Sequence, residues 1–294
     1  MAETIDTILD EYRNRALNRR AFMARLIHVT GSMAAAHLLL ETSGLAGTLV
    51  SEIESKQIKV ASDTISYPSA GGVNVSGYLS APPGKGKFPA VVVIHENRGL
   101  NDHTRDVARR FAAAGFVALA PDLLSRKGGT GAMASPDKAR EAITALPAED
   151  AITDLKSGLA YLDRHAKVRS GQLGSVGFCW GGARSFMLAA EAERLRAAVV
   201  FYGSAPAPDK LAQVRCPVLG LYGETDERIT ARVPEVAEAM KKAGKRFEHK
   251  IYPGAGHAFF NDTGERYHPE AATDAWARTL AFLRANLKGA GAKN

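Results

Sequence analysis

Cysteine is nearly absent from this chain. Only Cys179 and Cys216 occur among 294 residues, which excludes a disulfide framework and any four-cysteine zinc site. Long apolar runs are also missing: no stretch of ~18 uninterrupted apolar residues occurs, so no permanent membrane span is expected. Nor is there a block of one charge. The 38 Lys and Arg outnumber the 31 Asp and Glu, giving +7. The two signs nevertheless interleave, as in Arg105-Asp106, Lys138-Ala-Arg-Glu141 and Arg266-Tyr-His-Pro-Glu270. Without a basic stripe or an aromatic-rich signature, nucleic-acid binding is not expected, and the positive surplus favours small anions only in a general way. Repeats and low-complexity tracts are absent as well. With 46% hydrophobic and 23% charged residues, the chain has the material for one large core, and disorder, collagen and coiled coil are excluded.

Residues 1–55 stand apart from the rest as an N-terminal extension. The run Asn18-Arg-Arg-Ala-Phe-Met-Ala-Arg25 is similar to a twin-arginine export signal. Asn18 and Ala24 depart from that pattern, and His28 and His37 interrupt the apolar stretch behind it. The alternative is a retained helical arm packed on the main body. The first reading implies a periplasmic protein and the second a cytoplasmic one.

Residues 56–288 read as one domain, followed by a tail at 289–294. Val73, Val75, Gly77 and Leu79 alternate with polar residues, the pattern of a half-buried strand, and the Gly71-Gly72 turn joins them to a partner strand around 58–67. Ala90-Val-Val-Val-Ile-His95 is a continuous apolar run, expected of a strand covered on both faces. Further strands are expected at 117–120, 173–178, 197–202, 217–222 and 247–252. Helices are expected at 103–114 (stopped by Gly115), from 149, and at 182–192, 234–243 and 269–287. Between them, 125–148 reads as a glycine-bearing loop with a short helix, a candidate lid. Buried strands alternating with helices predict a doubly wound, mostly parallel α/β sheet flanked by helices, with the helical extension in front.

Chemistry concentrates at Gly177-Phe-Cys-Trp-Gly-Gly182, where a buried strand runs into a small-residue helix start. This has the form of a nucleophile elbow, G-x-S-x-G, with Cys179 in place of serine. The glycines are required because a β-carbon would strike neighbouring backbone. The helix start offers free N–H groups and a positive dipole end, both of which favour a thiolate. An acid and a histidine follow in the order of an α/β-hydrolase: Asp226 in Gly223-Glu-Thr-Asp226, with Glu224 as its rival, and His257 in Pro253-Gly-Ala-Gly-His257. In that set His257 takes the thiol proton and Asp226 fixes its tautomer. The bland readings are a buried packing cysteine, a loop-capping aspartate and a solvated histidine. His95, His103, His165, His249 and His268 read as structural or solvated, and Cys216 as a packing residue. His95-Glu96-Asn97-Arg98-Gly99 lacks the second histidine of a zinc motif, so neither metal nor cofactor is expected.

Together with His95-Glu96-Asn97-Arg98-Gly99, Gly223-Glu-Thr-Asp226 and Gly256-His257-Ala-Phe, the cysteine elbow resembles the dienelactone hydrolase family over about residues 56–288. The resemblance implies an α/β-hydrolase fold and carboxymethylenebutenolidase-type opening of an unsaturated lactone that bears a carboxylate. It implies that Glu96 takes the resting thiol's proton once substrate binds, the bland alternative being a pair with Arg98. Backbone N–H groups of Asn97 and Trp180 are expected to form the oxyanion hole. The family's carboxylate-holding arginine, four residues beyond the histidine, is replaced by Asn261; Arg98, Arg126 and Arg266 are the candidates to substitute. The expected partner is thus a small lactone or ester. General carboxylester hydrolysis or acyl transfer, and a non-catalytic ligand-binding role, are the alternatives. The oligomeric state stays open, a homodimer included.

Overall fold

The computed structural model describes residues 4–13, 17, 19–30 and 60–288. Its centre is an eight-stranded sheet in the order β1-β2-β4-β3-β5-β6-β7-β8. The strands are β1 (Ala61–Pro68), β2 (Asn74–Ala81), β3 (Phe88–Ile94), β4 (Val117–Pro121), β5 (Val168–Phe178), β6 (Leu195–Phe201), β7 (Val218–Gly223) and β8 (Phe247–Tyr252). β2 runs antiparallel to β1 and to β4; every other pairing is parallel.

The continuous apolar run of β3 has the double burial expected of it. Val91 and Val93 enter one apolar cluster with Phe111, Phe260 and Leu283, while Ala90, Val92 and Ile94 enter the opposite one with Leu155, Leu159 and Phe186. A strand's period of two sends neighbours to opposite faces, so both sides of the sheet need a helical cover. The first face receives α1 (Ile5–Arg13), α2 (Arg19–Thr30), α3 (Asp102–Ala113) and, later in the chain, a C-terminal helix. The second receives, after α4 (Pro136–Thr144), which packs in a small cluster of its own, α5 (Ala148–Arg164), α6 (Trp180–Glu191), α7 (Pro208–Ala212) and, past the short α8 (Glu227–Thr230), α9 (Val233–Lys242). The C-terminal helix is α10 (Pro269–Asn286).

Local signals account for several boundaries. Asn101 caps α3 by accepting from the Thr104 N–H, and Gly115 past its end takes φ +93°. Ser135 caps α4 in the same way, with Pro136 in the first turn. β5 begins five residues earlier than its hydropathy indicates, because Arg169-Ser-Gly-Gln172 is polar and its pairing with β3 is interrupted by a register shift. α7 and α8, with 5 and 4 residues, are too short to show a period.

The described part of the extension is helical. Ile8, Leu9, Phe22 and Leu26 are buried in the cluster that holds Val107 and Phe111 of α3. The side chains of Arg19 and Arg20, residues 31–55 and the tail 289–294 lie outside the described residues. Among the described residues no helix is long and apolar enough to cross a membrane.

The segment expected as a lid is anchored at both of its parts. The Asp122 carboxylate accepts from Leu124 N–H and from both Thr130 N–H and Oγ1, and Ala139 and Ile143 of α4 pack with Leu124 against Trp180. On the opposite face, a buried ion network ties the loop after β8 to α3. Arg110 Nη2 donates to Asp262 Oδ2 at 2.6 Å and also pairs with Asp106, while His103 Nδ1 lies 3.2 Å from Asp262 Oδ1. Burial alone would raise the Asp262 carboxyl, but Arg110 and His103 hold it far below the usual carboxylate range. A depressed carboxylate stabilises the fold above its unfolded-state pKa and that contribution is lost as pH falls. Asp262→Asn, which leaves Arg110 buried against less charge, is expected to cost about 3–5 kcal/mol in urea unfolding at pH 7, with the difference from wild type shrinking below about pH 4.

Candidate active site

Cys179 sits where β5 turns into α6, with φ +55° and ψ −116°. It is one of three non-glycine residues with positive φ among those described, and the others are Tyr202 (φ +39°), whose ring lies 5.1 Å from that of His257, and Ala258 (φ +66°), next to His257 in sequence. Strain of this kind persists only where packing over-determines the backbone. Here the packing is visible: a β-carbon on Gly177 would collide with the Gly181 carbonyl, and one on Gly181 with the carbonyls of Ile94 and His95. Both glycines are therefore fixed by close backbone approach.

His257 Nε2 lies 3.0 Å from Cys179 Sγ, and His257 Nδ1 lies 2.5 Å from Asp226 Oδ2. A carboxylate only accepts, so Nδ1 carries the proton and Nε2 accepts from the thiol. Asp226, not Glu224, thus meets the histidine. The Glu224 carboxylate accepts from the Gly254 N–H at 2.9 Å and so braces the loop that carries His257.

The thiolate preference expected from the helix start is overridden. Burial, reinforced by the Glu96 carboxylate, pushes the Cys179 thiol up to about 11, although the Trp180 N–H donates to its sulfur and opposes the shift. Near neutral pH the group is a thiol.

Among the described residues Glu96 forms no hydrogen bond to Cys179 and no ion pair with Arg98, although its charge acts on the sulfur. Tyr202 Oη donates to Glu96 Oε1 at 3.2 Å and Asn261 Nδ2 donates to Glu96 Oε2 at 2.9 Å. Asn261 Oδ1 accepts from Thr263 N–H and Oγ1, which fixes the orientation of the amide. Tyr202 and Asn261 as Glu96 partners are absent from the sequence reading, because only the fold brings residues 106 and 165 positions away to it.

His95, read as structural, has a definite task in the loop after β3. The Leu123 N–H donates to its Nε2 at 3.3 Å, so its proton is on Nδ1, which donates to the Glu96 carbonyl at 2.6 Å. Burial lowers its pKa and keeps the ring neutral. In a trans peptide C=O and N–H point opposite ways, so this bond also fixes the direction of the Asn97 N–H. The imidazole stacks on Trp180 (5.8 Å, 8°), and Arg184 lies 4.5 Å over the same indole.

The three arginines expected at the substrate are scattered. Arg126 is spent on Asp154, with Nε and Nη2 each 2.9 Å from a carboxylate oxygen of that fully buried residue. Arg98 and Arg266 are exposed.

An eight-stranded sheet of this order, with a strained cysteine between β5 and its helix and a histidine and aspartate on the loops after β8 and β7, defines an α/β-hydrolase. Within that class the chain belongs to the dienelactone hydrolase family, which it matches over residues 75–287. It is 34% identical over 232 residues to a Methylorubrum extorquens protein named carboxymethylenebutenolidase, covering 75% of this chain and 79% of that one. A Bradyrhizobium relative, 36% identical over 224 residues (72% of this chain, 90% of the relative), is named as a 2-oxo-3-(5-oxofuran-2-ylidene)propanoate lactonase. Among solved structures, a Klebsiella pneumoniae protein named as a dienelactone hydrolase superposes with a TM-score of 0.71 at 33% identity, over 76% of this chain and 98% of that one. The chain is a hydrolase of the carboxymethylenebutenolidase kind.

Because the Glu96 charge opposes ionisation of Cys179, Glu96→Gln is expected to lower the thiol pKa. Alkylation of Cys179 by iodoacetamide at pH 8 should then be roughly 3- to 10-fold faster than in wild type. A full pH–rate profile of alkylation checks the direction, and an unchanged profile would remove Glu96 from the electrostatics of the thiol.

Proposed function

We propose that the protein opens a lactone or small carboxylic ester without a cofactor, through a cysteinyl acyl-enzyme built by Cys179, His257 and Asp226. The observation that carries this reading is the continuous hydrogen-bonded line from Asp226 Oδ2 through His257 to Cys179 Sγ, already assembled in the resting protein.

As the Cys179 sulfur bonds to the carbonyl carbon, its proton passes to His257 Nε2, and the Asp226 carboxylate stabilises the imidazolium. The carbonyl oxygen becomes an oxyanion between the N–H groups of Asn97 and Trp180. The ring C–O bond then breaks, and the departing oxygen takes the proton from His257. Water, deprotonated by the same nitrogen, attacks the thioester; the acid leaves and the sulfur recovers its proton. Glu96 contributes through its charge and its hold on the oxyanion loop; in the resting protein its oxygens bond to Tyr202 and Asn261 and not to the sulfur. The Bradyrhizobium relative, named for a lactone bearing a propanoate, favours a lactone. Asn261 in place of an arginine favours the second reading, a carboxylesterase on neutral esters.

Cys179→Ala is expected to lower turnover of cis- or trans-dienelactone, or of p-nitrophenyl acetate, by about 10³-fold or more with an unchanged melting curve. Lactone opening dependent on Cys179 supports the first reading and ester cleavage alone the second. Binding without product over hours would leave a ligand-binding protein instead.

His95 enters this route as a positioning residue for the Asn97 N–H. His95→Phe keeps the stack on Trp180 and removes the bond to the Glu96 carbonyl. It is expected to lower kcat about 10- to 100-fold with KM nearly constant. A loss confined to thermal stability, with kcat intact, would reduce His95 to a core residue.

A further inference from the structure

A cavity of about 330 Å³ lies at the carboxyl ends of β6 and β7, next to the residues just described. That size is within the range of small-molecule sites. Its wall includes Gly203 and Ser204, directly after Tyr202, and Arg228, Ile229, Arg232 and Val233 from α8 and the start of α9. Gly203 is backed against the first turn of α6, where a β-carbon would meet the backbone of Gly182 and Ala183. Arg228 is two residues past Asp226, and its charge reaches far enough to favour ionisation of Cys179. The cavity and the sulfur therefore share one electrostatic neighbourhood.

The two arginines differ. Arg232 Nε lies 3.6 Å from Glu235 Oε2, so part of its charge is already answered. Arg228 is exposed and forms no ion pair among the described residues. Ile229 and Val233 offer an apolar wall beside it. An unanswered guanidinium over an apolar wall suits a short hydrocarbon chain ending in a carboxylate, which such a fork can bind with two hydrogen bonds.

We propose that this cavity is a carboxylate-binding subsite, with Arg228 its specificity-determining cation. The proposal rests on the hydrolase reading for the position of the scissile carbonyl. It gives the role of anion recognition to the loop after the candidate acid, leaving Asn261 to hold Glu96. The substrate class is then a lactone or ester whose acyl chain ends in a carboxylate.

The test compares two esters of one chain length, mono-p-nitrophenyl adipate and p-nitrophenyl hexanoate. In wild type kcat/KM is expected to favour the adipate. Arg228→Gln should reduce the adipate-to-hexanoate ratio about 10- to 100-fold, mainly through KM, since a charge-assisted hydrogen bond carries a factor of that order. Arg228→Lys should restore part of it. A ratio within twofold of wild type in Arg228→Gln overturns the proposal, even where Cys179-dependent hydrolysis of both esters continues. The subsite is also read without turnover, by calorimetric binding of the two esters to Cys179→Ala. Tighter binding of the adipate that disappears in Cys179→Ala/Arg228→Gln supports the subsite even if the wild type hydrolyses neither ester. Equal binding of the two esters counts against it.

Discussion

The site depends on one close approach of backbone to backbone. The carbonyls of Ile94 and His95 at the end of β3 lie where a side chain of Gly181 would be. Nothing larger than hydrogen fits there, and the loop after β3 is thereby pressed against the first turn of α6. That contact sets the distance between the two peptides, Glu96–Asn97 and Cys179–Trp180, whose N–H groups would face an oxyanion. The His95 ring, stacked on Trp180 and bonded to the Glu96 carbonyl, ties the same two segments by side chains. Positive φ at Cys179, Tyr202 and Ala258 is tolerable because the surroundings leave these residues no relaxed alternative.

Much of the fold was legible because each of its signals is local. A buried apolar run, an alternating strand and a glycine after a helix need only a few neighbours to be read. β3, β8 and α10 are found within a few residues of their expected places. The polar start of β5 and the helices α7 and α8 were not legible, since pairing partners and three-dimensional packing, not pattern, decide them. The cysteine, histidine and aspartate were legible for a different reason: each sits in a loop whose glycines announce a tight turn at a strand end. Tyr202 and Asn261 carry no such mark. Their importance comes from converging on one carboxylate across long sequence separations. The arginines were the least legible of all. Spacing gives no means to tell Arg126, which is bound to Asp154, from Arg228, which has no ion-pair partner among the described residues.

The electrostatics of the sulfur also reverse a local expectation. A helix start favours an anion by something near half a unit of charge, screened by solvent and confined to the first turn. At Cys179 that advantage meets burial and the full charge of Glu96, and these dominate. The resting group is a protonated thiol already in contact with a histidine whose other nitrogen is held by Asp226. Burial that suppresses the thiolate also protects the sulfur from adventitious oxidation.

Asn261 decides how the charges of the site are divided. An arginine at that position would neutralise Glu96 and at the same time attract an incoming carboxylate, so the two acids would compete for one cation. A neutral amide removes the competition. Both Glu96 oxygens are held by Tyr202 and Asn261, and the carboxylate opposes ionisation of the thiol. His257 Nε2, 3.0 Å from the sulfur, is the base that the proposed route uses. An anionic group on the substrate must find its counter-charge elsewhere, and it gains if that cation is remote from Glu96 and not already paired. The loop after β7 offers an unpaired cation: it positions Asp226 toward His257 on one side and presents Arg228, without an ion-pair partner among the described residues, to the cavity on the other.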